Sequence, residues 1–503
     1  MAQYNPSLSA DHPGALPYPL KSVLRYPKPG YTNPTVSVHV VVDISRETLA
    51  RGQELKTLTL EFDKPFQGDN VVISELAWLA EDMLLVKATD RTASVLRVAI
   101  FKLNAAASSS ERVVKGKVVR DEDWTKRDGG WVEPLQTVIS LNDGGYLEVS
   151  PNSFGFNHIA HFAAADASEP RFLTNGSWEV DGQILALDRE SQRAYFRAAK
   201  PSTDRHLFAI DLLQSTAVAA FPELTPLTDT NKSGFHSASF SPKAGYYLHN
   251  SDGPEVPSQT MVRVKDRQET LVTDNTALLN STKVYLQPEL VYSTWTTPDG
   301  LADLNVLEMR PPDMDTSGRR SYPVLVHVYG GPNAQLVSSA FKRDWHAALV
   351  TELDYIVVLV DARGTGFKGR DFRNVVRGHL GEQESQDVTD FAKSFADRSY
   401  VDEKRVGVWG WSYGGYLTAK IVERNSSIFS LAMSVAPVTD WRFYDSICES
   451  ALLLVCSFVL TEARRHGEVH AHAWREHARV RAERRDAHGR LCEPALPSGA
   501  WLW

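Results

Sequence analysis

The sequence predicts an all-β region followed by an α/β region built on a parallel sheet, a β + α/β chain, and three observations carry that prediction. Up to about residue 280 short apolar runs alternate with clusters of Gly, Asn, Asp, Ser and Pro, and no long helical period intervenes. From about residue 282 three β-branched runs appear, Val324 to Val328, Ile356 to Val360 and Val406 to Trp409, and the stretch before the third carries Val388, Phe391, Ala392 and Phe395 at helical spacing. Strands that alternate with helices in this way pair in parallel, because each crossover helix covers a face of the sheet. The third run ends in Gly410-Trp411-Ser412-Tyr413-Gly414-Gly415 and passes into an amphipathic stretch with Leu417, Ile421 and Val422 on one side.

The bulk numbers are compatible with such a chain. At 503 residues with 43% apolar side chains it is long enough for two or three domains with sizeable cores. A net charge of -8 and a pI near 6.0, with no basic stripe before residue 440, argue against a nucleic-acid partner. Neither an 18-residue apolar run nor an N-terminal signal pattern occurs, so the chain as written is neither anchored nor addressed. Cys448, Cys456 and Cys492 all fall near the carboxyl end, which leaves no disulfide framework for the rest. Asn175, Asn231, Asn280 and Asn425 begin glycosylation triplets.

In chain order, the first strands are Thr35 to Val40, Gly145 to Val149, His158 to Phe162 and Ser177 to Val180. Recurring aromatic-plus-turn units such as Asn175-Gly176-Ser177-Trp178 and Ser239-Phe240-Ser241-Pro242 favour propeller blades over a sandwich or barrel. We therefore expect residues 1–281 to be β-propeller blades, incomplete at the amino end. Residues 282–447 are expected to be the first part of an α/β domain, opening with antiparallel strands such as Leu290 to Trp295. Residues 448–503 read as an unrelated Arg/His-rich tail, with disorder as one outcome.

The chemistry is concentrated at Ser412. A serine held on a sharp turn between strand and helix, with glycines two residues either side, is a nucleophile elbow, and the helix N-terminus behind it points free N–H groups at a developing oxyanion. His327-Val328-Tyr329-Gly330-Gly331-Pro332 follows the first parallel strand, where a hydrolase keeps the second half of its oxyanion hole, so Tyr329 and the Tyr413 backbone N–H are the expected donors. Asp361 and Arg363, after the next strand, read as loop-fixing groups rather than catalytic ones.

Taken together these motifs resemble the dipeptidyl peptidase IV branch of the prolyl oligopeptidase family of serine peptidases, in its fungal form. The residues that carry the resemblance are Arg25-Tyr26-Pro27-Lys28, Asn33-Pro34-Thr35-Val36, Gly176-Ser177-Trp178-Glu179-Val180, Tyr329-Gly330-Gly331-Pro332, Asp361-Ala362-Arg363-Gly364, Gly410 to Gly415, and Ala436-Pro437-Val438-Thr439-Asp440-Trp441 with Phe443-Tyr444-Asp445-Ser446. It implies a partial β-propeller followed by an incomplete α/β-hydrolase domain, and removal of N-terminal dipeptides with Pro or Ala in second place. Ser412 would be the nucleophile, Tyr329 and Tyr413 the oxyanion hole, and Trp441, Tyr444 and Tyr413 the wall of a proline pocket. No cofactor, metal or nucleic acid is implied, and a homodimer is compatible. Family members are vacuolar-membrane or secreted proteins, but nothing in this chain assigns its location.

The sequence also departs from that family. The triad acid and histidine should follow on later strands, yet only 91 residues follow Ser412 and the resemblance ends near Ser446. Beyond it come no lysine, eight arginines and the five histidines His466, His470, His472, His477 and His488, a change of texture expected of translated intron or shifted-frame sequence. No strand there would bring an imidazole to Ser412, and a His470/His472/Cys492 metal site is no better supported. The family's amine-clamping glutamates belong upstream of Arg25. The expectation is a serine-type dipeptidyl aminopeptidase by family whose own turnover is low; a catalytically silent propeller that binds partners, or a general esterase, are the rival functions.

Overall fold

The computed structural model describes residues 31–444 except 32, 43, 45, 47–49, 53, 69, 105–109, 134–136, 213–220 and 425, together with the backbone of Ala2–Gln3 and Leu20–Lys21. The Arg25 to Lys28 motif, Asn425, Asp445, Ser446 and the whole of 448–503, with its cysteines and histidines, lie outside the described residues.

The first part is a succession of antiparallel β-meanders. Val72–Ala80, Met83–Thr89, Val95–Lys102 and Val113–Asp123 pair in sequence, and the hairpin Val38–Val42/Lys56–Phe62 extends that sheet through a parallel pairing of its second strand. Three four-stranded sheets follow, spanning Ile139–Phe172, Glu179–Pro226 and Phe235–Thr273. Successive sheets stack face to face, so a central strand is apolar on both sides. In the 139–172 sheet Tyr146, Ala160 and Phe162 pack back onto Leu85, Leu96 and Val98, while the alternate residues Leu147, Val149 and Ile159 pack forward onto Val180, Ile184, Phe196 and Phe208. This is blade packing, as the aromatic-plus-turn units predicted. Glu179–Asp188 begins two residues later than expected, because the buried Trp178 ring turns in edge-on to His158 with centroids 4.7 Å apart rather than joining the strand.

The second part is one six-stranded sheet. Its strands are β1 (Glu289–Thr296), β2 (Asp303–Arg310), β3 (Tyr322–His327), β4 (Ile356–Asp361), β5 (Val401–Trp411) and β6 (Leu431–Val435), and their order is β1-β2-β4-β3-β5-β6. The first two are antiparallel to their neighbours; β4, β3, β5 and β6 are parallel. Four helices connect them: α1 (Trp345–Leu353), α2 (Arg370–Asn374), α3 (Gln383–Ala396) and α4 (Tyr413–Glu423). Val324, Val326, Val406 and Val408 face Val388, Phe391, Leu417 and Ile421 of α3 and α4, and Leu325, Val357 and Trp409 face Val350 of α1 on the other side. The predicted helical stripe is thus the buried face of α3. None of the described helices is long and apolar enough to cross a membrane.

Helix α2 locks the two parts together. Arg370 and Arg373 are fully buried. Arg373 reaches Glu133 at 2.5 Å and Glu179 at 3.1 Å, while Arg370 pairs with Asp128 and donates to the Trp131 carbonyl at 2.9 Å. The Gly369 N–H donates to Glu179 at 2.7 Å. A second anchor joins Arg205 to Gln335 at 2.7 Å and stacks its guanidinium 3.8 Å from the centre of the Phe367 ring.

Candidate active site

The chain turns from β5 into α4 at Ser412, whose φ of 59° and ψ of -116° lie outside the ordinary regions for a residue with a Cβ. Holding it there costs about 1–3 kcal/mol, which the surrounding contacts must supply. The Ser412 N–H donates to the Val435 carbonyl at 2.9 Å, and its carbonyl accepts from the Tyr416 N–H at 3.0 Å. The glycines are there for close approach. A Cβ on Gly410 would stand 2.3 Å from the Gly414 carbonyl oxygen, one on Gly414 2.2 Å from that of Val328, and one on Gly415 2.6 Å from that of Val435. The serine hydroxyl makes no capping bond to the helix and the residue is exposed, so its oxygen is free to meet a ligand.

Tyr329 arrives from the end of β3, which lies beside β5 with His327 opposite Trp409. Gly330 and Gly331 bend the chain after it, and a Cβ on either would strike Leu417 at 2.6 Å or the Tyr329 ring at 2.8 Å. Asp361 holds the loop beyond: it accepts the Leu336 and Val337 N–H groups at 2.8 and 2.9 Å, and burial pushes its carboxyl up to about 6. Arg363 grips Asp387 of α3 through two bonds, Nη2 to Oδ1 at 2.7 Å and Nε to Oδ2 at 3.0 Å, and reaches Asp299 at 2.8 Å. Both groups act on loops, as their place in the sequence suggested.

The aromatic residues converge around Tyr413. Its ring centroid lies 6.1 Å from that of Tyr329 and 5.6 Å from that of Trp441, and Tyr444 lies 5.6 Å beyond Trp441. Tyr329, Tyr413, Trp441 and Tyr444 therefore form one connected cluster beside Ser412. Two members were missed by sequence reasoning. Tyr416, one turn along α4, stands edge-on to Trp441 at 5.3 Å and donates its hydroxyl to the Leu380 carbonyl at 2.6 Å. Glu384, buried beneath the cluster, accepts the Tyr413 hydroxyl at 2.7 Å and the Gly381 N–H at 2.9 Å. Its signal was present: Glu384 lies four residues before Val388 on the apolar stripe of α3, an unusual place for a carboxylate.

Among the described residues no histidine hydrogen-bonds the Ser412 hydroxyl. His327 stacks on Trp409 at 4.3 Å and approaches His346, on the α1 side of the sheet. Asp440 is bound by Arg442 at 2.9 Å, which holds its carboxyl below the usual range. No group of three or more His, Cys, Asp or Glu among the described residues could hold a metal.

Comparison with known proteins gives this geometry a context. The family profile for the dipeptidyl peptidase IV (DPP IV) N-terminal region matches residues 3–258, and that for the prolyl oligopeptidase family matches residues 340–463. The chain is 39% identical over 449 residues to the "Probable dipeptidyl-aminopeptidase B" of Uncinocarpus reesii, covering 87% of this chain and 46% of that protein. It is 38% identical over 455 residues to the "Dipeptidyl-aminopeptidase B" of Aspergillus niger, covering 88% and 47%. The crystal structure of Porphyromonas gingivalis dipeptidyl peptidase 4 superposes with a TM-score of 0.71 at 27% identity, over 90% of this chain and 58% of that one. The chain spans about half the length of the curated relatives it matches. With one profile over half of its length and a second over the region that holds Ser412, the chain belongs to the dipeptidyl peptidase IV branch of the prolyl oligopeptidase family of serine peptidases.

Proposed function

We propose that the chain carries the nucleophile half of a serine-type dipeptidyl aminopeptidase that releases dipeptides with Pro or Ala in second place. In this reading residues 1–281 are propeller blades, 282–447 the catalytic domain and 448–503 a separate tail. Ser412 Oγ attacks the carbonyl carbon of the second residue; its proton passes through a base to the leaving amine, the C–N bond breaks, and water later hydrolyses the ester. The Tyr413 N–H and the Tyr329 hydroxyl take the charge of the tetrahedral oxygen, and one such donor is worth roughly 3 kcal/mol in the transition state. Tyr413, Trp441 and Tyr444 wall a slot for a five-membered ring, since rigid aromatic faces bind one at low entropic cost.

The observation that carries this reading is Ser412 at φ 59° with its oxygen uncommitted, on a turn where Gly410 and Gly414 leave no room for a Cβ. With no imidazole at that oxygen among the described residues, we expect the 503-residue chain to turn over slowly. Fluorophosphonate labelling of wild type beside Ser412→Ala tests both points. Weak labelling of wild type is expected, and what there is should vanish in the variant. Rapid hydrolysis of an Xaa-Pro chromogenic amide would overturn the low turnover, and labelling that survives Ser412→Ala would overturn the nucleophile.

A further inference from the structure

The aromatic cluster rests on a charge that nothing so far explains. Glu384 is fully buried, and no lysine, arginine or histidine pairs with it among the described residues. Asp387, one turn along α3, is taken by Arg363. Burying a carboxylate without a cation is costly, and a glutamine would fill the same space.

We propose that Glu384 is a positioning residue for the slot beside Ser412: through the Tyr413 hydroxyl it fixes both the ring that lines the slot and the backbone N–H that follows the nucleophile. The proposal rests on the slot reading given above. Residues 380–384 grip the cluster at two points, the Tyr413 hydroxyl on Glu384 and the Tyr416 hydroxyl on the Leu380 carbonyl. A Cβ on Gly381 would stand 2.6 Å from the Tyr416 hydroxyl oxygen, so that segment lies hard against the rings. Both partners of Glu384, the Tyr413 O–H and the Gly381 N–H, are donors. The ionised carboxylate accepts from both at full strength; once protonated, the oxygen that carries the proton is a poor acceptor and one grip weakens.

Burial pushes the Glu384 carboxyl up to about 7; the bonds from Tyr413, from its own backbone N–H and from Gly381 oppose that rise, and Asp387 adds to it. Burial also raises the Tyr413 and Tyr416 phenols, so both remain neutral donors through the neutral range. Tyr413, Tyr416, Asp387 with its Arg363, and the Gly381 N–H are the groups that face this carboxyl. The slot should therefore tighten as pH rises through neutrality.

Two measurements on the full chain test this. The first is the affinity for N-acetylpyrrolidine, a ring probe with no titratable group, by calorimetry from pH 5.5 to 8.5. Wild type should gain several-fold in affinity over that range, whereas Glu384→Gln, which cannot titrate, should bind weakly with a flat profile; Glu384→Asp should recover some pH dependence. The second needs no ligand: the tryptophan emission difference between otherwise identical chains with and without Trp441→Phe should titrate near neutrality with Glu384 present and not with Gln. A Glu384→Gln chain with wild-type affinity and an unchanged pH profile overturns the proposal, as does a ligand-free titration that persists in it. Absence of binding by wild type at every pH overturns the slot reading alone, and the emission titration still decides the role of Glu384.

Discussion

Removing the Arg373 guanidinium should unfasten the propeller from the sheet that carries Ser412, and the loss should depend on pH. Arg373 is fully buried between Glu133 and Glu179, which are themselves almost wholly buried. Arg373→Ala would leave Glu179 buried without a cation and Glu133 with Arg370 alone, 3.4 Å away, and breaking a buried pair from one side costs about 3–5 kcal/mol. Burial already raises the Glu179 carboxyl above its ordinary range, with Arg373 the first force opposing that rise. Without Arg373 it rises further. A carboxyl raised in the folded state favours folding below its unfolded value, near 4.5, and that advantage disappears as pH climbs through the folded value. The deficit of Arg373→Ala should therefore be small near pH 4.5 and reach its full size at pH 8. Urea unfolding followed by tryptophan emission at the two pH values measures it. The combined Arg373→Met, Glu179→Gln chain keeps an acceptor for the Gly369 N–H and leaves Glu133 paired with Arg370 at 3.4 Å, so it should lie within about 1–2 kcal/mol of wild type. A loss below about 1 kcal/mol at pH 8, or one that is the same at both pH values, would refute this account of the junction.

Three further outcomes follow from the same contacts. Gly414→Ala forces a Cβ into the Val328 carbonyl and should cost about 2–4 kcal/mol in urea unfolding while abolishing any Ser412 labelling; a fully stable, labelled variant would show the turn to be softer than its geometry implies. Arg363→Lys exchanges a two-bond grip on Asp387 for a point charge that cannot also span to Asp299, so a loss of about 1–3 kcal/mol is expected, against none if the fork is unimportant. Glu384→Gln should stabilise the chain in alkali: with the carboxyl at about 7 in the fold against 4.5 unfolded, its ionisation opposes folding increasingly from pH 4.5 to 7 and constantly above. That difference amounts to about 3 kcal/mol between acid and alkali, read as a stability gap between variant and wild type that widens with pH.

Much of this was legible in residue order because the signals are local. Alternating apolar runs with turn clusters mark blade strands whichever neighbours they meet, and β-branched runs between helical stripes mark a parallel sheet. The Gly410 to Gly415 spacing announces a strained turn, since only glycine tolerates carbonyl oxygens within 2.2–2.6 Å of where a Cβ would stand. Tyr329 was found from its place after the first parallel strand, Trp441 and Tyr444 through the resemblance of their motif, and the fold brings them to Tyr413 from two separate segments.

What local signals could not convey is pairing over distance. Arg373 meets Glu133 and Glu179 from some 200 residues away, and no spacing rule connects them. Glu384 was visible as a misplaced charge on the stripe of α3, but that its partner is the residue after the candidate nucleophile emerges only once α3 and α4 pack on the same face of the sheet. The sequence by itself determined the two architectures, the strained serine turn and its family. Tertiary structure alone decided which buried charges are paired with a cation and which are not, because a charge's partner depends on chain segments that only folding brings within hydrogen-bond reach.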